Sequence, residues 1–237
     1  DVDRFLSNVG DYSHLLRGAG GDQASTAVSH LCSRFSAKEI AIVSEYVVRT
    51  LSEKCNLEFV RMATNHSEGL RNPSFDGWIF ELDFLTQLRL ARSTTIPLVL
   101  EDETTEEWHV SHIISDVRFG NKTNLVDLSN SGDNLWLFPL LCNQGGFDAV
   151  QLLPDAVVRF VQVTTSASHD LKLRYMCSAL INIREEAHRV VNKVEIVMVV
   201  PSGAISDFTL GNVSSSLPLT VERWSPEKLI VRGLMRS

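Results

Sequence analysis

Residues 147–165 read FDAVQLLPDAVVRFVQVTT. Two strands are expected, 147–153 and 157–165, separated by Pro154-Asp155. Side chains alternate along a strand, so Asp148 shares a face with Val150 and Leu152. By the same rule Gln162 and Thr164 share a face with Val158 and Phe160, while Val161 and Val163 take the other. Two polar side chains thus enter the middle of a strand that is otherwise expected to be buried on both sides. Each alone is explained by a core hydrogen bond, and Asp148 alone by capping a turn after Gly145-Gly146.

Working outward, a helix is expected over 170–188, with an apolar stripe at Leu173, Met176, Leu180, Ile183 and Ala187. The run 194–200 suits a strand buried on both faces. Upstream, a helix over 75–92 precedes short strand candidates at 96–100, 108–110, 125–128 and 135–138. The ending is less regular, with a helix expected at 226–235. This order predicts an α/β fold with a mixed central sheet flanked by helices. Nearer the start, Ser36 with Glu39 resembles a capping box, and Ile40, Val43, Val47 and Leu51 recur at helical spacing. A second helix is expected at 57–63. Residues 1–35, with Gly18-Ala19-Gly20-Gly21, read as a loop-rich tail of an upstream region. Their diglycine lacks the Gly-Lys-Ser/Thr of a phosphate loop. The expected division is therefore 1–70, tail plus N-terminal helical annex, and 71–237, the main domain.

The 237 residues are 44% hydrophobic, which excludes a disordered chain, and 13 Gly with 7 Pro exclude a collagen-like one. No apolar run approaches the roughly 18–20 residues of a membrane span. Net charge is −7, so nucleic-acid binding needs a local basic face. Residues 71–150 carry 12 acids against 5 bases, whereas 151–237 carry 8 against 10, which places such a face in the last third. The run Glu101-Asp102-Glu103, with Glu106-Glu107, reads as a solvated loop. Cys32, Cys55, Cys142 and Cys177 are far apart and form no metal-ligand spacing, so free thiols in a reducing compartment are expected. Sequons at Asn65, Asn121 and Asn212 carry no weight. Opening at Asp1 without a targeting segment, the chain reads as a piece of a longer protein.

On the helix over 75–92, Trp78, Leu82, Leu85 and Leu88 form one arc, flanked by Phe75, Ile79 and Phe84, with Asp83 and Gln87 pointing away. Glu81 falls inside the apolar arc. A carboxylate there is costly unless it is paired, as with Arg89 two turns on, hydrogen-bonded or bound to a cation. An acid on a helix, an Asp on one strand and polar residues at i and i+2 on the next match the layout of the PD-(D/E)XK nuclease core. Oxygen donors of this kind suit Mg2+, which lowers the pKa of bound water and neutralises charge on a phosphate.

Three stretches carry a resemblance to a known family: Asn72-Pro73-Ser74-Phe75-Asp76-Gly77-Trp78-Ile79-Phe80-Glu81, Asn143-Gln144-Gly145-Gly146-Phe147-Asp148 and Phe160-Val161-Gln162-Val163-Thr164. With the tail His169…Lys172-Leu173-Arg174-Tyr175, they resemble the C-terminal domain of Crinkler effectors of oomycete and fungal pathogens, similar to retrotransposon-hot-spot proteins. The resemblance covers roughly residues 36–235. It implies a restriction-endonuclease-like fold, secretion, and action in the host cell nucleus on host DNA or a host nuclear protein, with no membrane or small-molecule cofactor involved. It implies catalytic positions at Glu81, Asp148, Gln162 and Thr164, with Mg2+ held by Glu81, Asp148 and Gln162. Gln162 stands where the family has a second strand acid, and Thr164 where it has lysine. Lys172 or His169 is a replacement for that lysine, or His169 is the solvent-facing leader of the next helix. The alternative function is a nuclease fold that has lost catalysis and binds protein or DNA.

Overall fold

The computed structural model describes residues 32–36, 39–42, 57, 58, 60, 61, 64, 73–91, 95–117, 119, 125, 128, 134–139, 146–214 and 224–236. The expectations for most of the tail 1–35, for the sequons at Asn65 and Asn121, and for Cys55 and Cys142 lie outside them. The chain divides into two compact units, Asp1–Arg89 with Ser237, and Leu90–Arg236. Among the described residues no helix is long and apolar enough to cross a membrane.

In the first unit β1 (Cys32–Ser36) pairs antiparallel with β2 (Glu39–Ile42). The helix expected from Ser36 is therefore corrected to a strand pair over these residues; Val43, Val47 and Leu51 lie outside the description. Ile40 and Ile42 recur with the period of two of a strand, and β-branched side chains favour the extended choice. Leu57, Glu58, Val60, Arg61 and Thr64 are helical, where the second helix was expected. α1 (Pro73–Leu90) opens on a proline, whose missing N–H costs nothing in a first turn. It is buried almost all round: Ile79, Phe80, Leu82, Phe84, Leu85 and Leu88, but also Asp83 at 1% exposure. The expectation that Asp83 and Gln87 point away is corrected: Gln87 Nε2 donates to buried Asp83 Oδ1 at 3.0 Å. One-sided burial was the wrong premise for this helix.

The second unit is built on β3 (Thr95–Val99), β4 (Thr105–His109), β5 (His112–Val117), β6 (Leu135–Pro139), β7 (Ala149–Leu153), β8 (Val157–Val163), β10 (Lys193–Pro201) and β12 (Ile230–Leu234). They form one mixed sheet in the order β4-β3-β12-β10-β8-β7-β6-β5. β8, β10 and β12 run parallel, and β7 is antiparallel to β8. A separate two-stranded parallel ribbon joins β9 (Ser168–Lys172) to β11 (Thr209–Ser214). Three expectations are corrected here. Leu125 and Leu128 are not in a strand; a turn bonds Leu128 N to Leu125 O. The helix expected at 226–235 is a short 3-10 turn, Pro226–Lys228, followed by β12. The helix expected over 170–188 begins later, as α2 (Leu173–Glu185), because residues 168–172 are strand β9.

α2 lays Leu173, Met176, Leu180 and Ile183 into a core with Val150, Leu152, Val158, Phe160, Ile196 and Met198, all from one face of the sheet. Phe147 stacks against Phe160 with ring centroids 5.0 Å apart and meets Phe119 edge-on at 5.4 Å. The other face is closed differently. β4 ends at His109 and β5 starts at His112, a link reaching at most about 11 Å. In a flat sheet the two edge strands would stand roughly 34 Å apart. The β3–β4 hairpin, joined to β12 only through Val99 and Gly233, must therefore fold back over the sheet. Its acidic turn, Glu101-Asp102-Glu103, is exposed, as the sequence implied.

The fold-back lands on a row of side chains contributed by four neighbouring strands. Trp136, Gln151, Arg159 and Glu195 are successive register partners. Trp136 Nε1 and Gln151 Nε2 both donate to the His109 carbonyl, at 3.3 and 3.1 Å. Arg159 donates to Gln151 Oε1 at 3.1 Å and to Glu195 at 2.9 Å, and lies 4.5 Å from the Trp108 ring centroid. Burial works to raise the Glu195 pKa, but the Arg159 charge and hydrogen bonds, with Lys193, hold it below the ordinary value of 4.5. A depressed folded-state pKa stabilises the fold above the unfolded value, and that contribution is lost as pH falls through the folded one. Acid unfolding should accordingly show a loss of stability beginning near pH 4.5 and continuing below it. Glu195→Gln, followed by circular dichroism against pH, is expected to remove that component of the slope.

Candidate functional site

The register Ala149↔Val161 sets Asp148 opposite Gln162, and the bond from Asp148 N to Val161 O at 2.8 Å extends the ladder by that step. Asp148 is 7% exposed, and its Oδ2 accepts Gln162 Nε2 at 2.5 Å and the Val163 backbone N–H at 2.7 Å. The two strands thus bring two of the expected site residues into direct contact. Thr164, also buried, continues the line: its N–H donates to Val199 O at 2.9 Å, and its Oγ1 accepts Ser166 N–H at 3.1 Å. All three lie where β8 ends, beside parallel β10. The carboxyl edge of parallel strands is where α/β sheets generally bind ligands.

Gly146 fixes what lies next to Asp148. Its φ is +92°, and a Cβ there would stand 3.1 Å from the Lys172 carbonyl oxygen and 3.5 Å from Tyr175 Cβ. The missing side chain lets the turn before Asp148 press against the start of α2. Arg174 donates to the Tyr175 hydroxyl at 2.8 Å with its guanidinium 4.7 Å from that ring centroid. Lys172 and Arg174 are exposed, which gives this end of α2 a positive character. His169 is corrected from helix leader to strand residue: it sits half-buried on β9. Burial pushes its imidazole pKa down, against Asp170 and with help from Lys172. It is therefore more often neutral than an exposed histidine at the same pH.

Glu81 lies on α1 in the first unit, 7% exposed, so its burial agrees with the helix arc. Among the described residues no group of three or more His, Cys, Asp or Glu side chains is placed to hold a metal ion. The chemistry of the donor set can still be tested at the corner itself. Asp148 and Gln162 carry oxygens of the kind Mg2+ takes, and they meet at one point. Gln162 suits a cation only with its carbonyl, and it is the N–H side that faces Asp148. A half-turn of that amide would set its carbonyl beside the carboxylate, two oxygen donors of the kind such an ion takes. The Arg159 row was missed in the sequence, although Gln151, Arg159 and Glu195 are each a polar residue within an apolar strand, the same signal that singled out Gln162. Cys177 is a half-buried thiol outside any disulfide, and burial raises its pKa.

Comparison with known protein families, with curated proteins and with solved structures finds no match.

Proposed function

We propose that this chain is a nuclease-like domain that engages nucleic-acid phosphates at the carboxyl edge of β8, with a divalent cation at Asp148. The observation that carries this reading is the meeting of Asp148 and Gln162 from adjacent strands, with buried Thr164 one step beyond. When bound, Mg2+ would supply charge neutralisation and a more acidic water. Asp148 and the carbonyl of Gln162 would hold it. The Val163 N–H orients Asp148. Lys172, whose carbonyl packs on Gly146, supplies the positive charge that Thr164 lacks, and Arg174 adds attraction for the phosphate backbone. A restriction-endonuclease-like core of the Crinkler kind, secreted and acting on host DNA, is the setting this reading favours.

Supercoiled plasmid incubated with the purified chain and Mg2+ is expected to be nicked, and chelation to stop it. Plasmid that stays supercoiled would contradict cleavage. A second reading, a nuclease fold that only binds DNA or a host nuclear protein, is favoured by the Thr164 hydroxyl. It is engaged by Ser166 N–H and brings no cation. On that reading DNA binds without cleavage, and its affinity falls steeply with salt; affinity that is flat in salt would point to the protein partner.

A further inference from the structure

We draw no further inference here: the strongest candidate, the surface patch of exposed Lys172 and Arg174 with half-buried Tyr175 at the start of α2, rests on a helix N-terminus alone, with no second feature among the described residues that points to a ligand.

Discussion

Asp148→Asn is expected to reduce Mg2+-dependent plasmid nicking by at least about a hundredfold, the cost of removing one preorganised charge-stabilising group. Its melting temperature should stay within about 4 °C of the parent. The two outcomes separate because the side chain has two tasks. Structurally it accepts Gln162 Nε2 and Val163 N–H through one oxygen, and an asparagine carbonyl can accept both. Electrostatically it supplies a full negative charge in a 7% exposed position, and asparagine supplies none. Asp148→Ala would mix these effects, since it leaves two inward donors without a partner at about 1–3 kcal/mol each. Gel assays and a thermal melt on the same preparations read both. Nicking unchanged in Asp148→Asn would place the chemistry elsewhere.

Phe160→Ala should lower the unfolding free energy by about 3–5 kcal/mol, the usual range for an aromatic deleted from a close-packed core. Phe160 has no exposure, and its ring lies 5.0 Å from Phe147. It faces the Met176, Leu180 and Ile183 side of α2 in the same core. Three secondary elements meet at this ring, so no single one can collapse to refill the space. Urea denaturation should show a lower midpoint with an unchanged slope, the sign of lost stability without a changed unfolded state. Phe160→Leu should recover most of the loss. A midpoint that does not move would mean the β8–α2 core is packed differently.

The two strands within 147–165 were legible for a physical reason: alternating runs rich in apolar residues flank the breaker Pro154-Asp155. Their antiparallel register, and with it the Asp148–Gln162 contact, was not read from the sequence. The α2 stripe was equally plain, since Leu173, Met176, Leu180 and Ile183 are all fully buried or nearly so, and Ala187, expected in the same helix, is buried just beyond its end at Glu185. Strand β9 was not legible. Ser168, Asp170 and Lys172 are exposed and only Leu171 is fully buried, so its alternation carries one apolar residue and merges into the helix that follows. Its fixing feature is a distant one: Asn212 N–H donates to Asp170 Oδ1 at 2.7 Å, and Gly211 leaves room for that carboxylate. The fold-back of β3–β4 was hidden likewise. It depends on the His109 carbonyl accepting from Trp136 and Gln151, 27 and 42 positions away.

The most direct test of the Asp148 corner is the anomalous signal of manganese in crystals of the parent chain grown with Mn2+. The expected result is a peak about 2.1 Å from an Asp148 carboxylate oxygen, with the Gln162 amide no longer donating to it. Manganese bound only at other residues, with Gln162 Nε2 still on Asp148 at saturating ion, would contradict a cation-binding centre at this edge of the sheet.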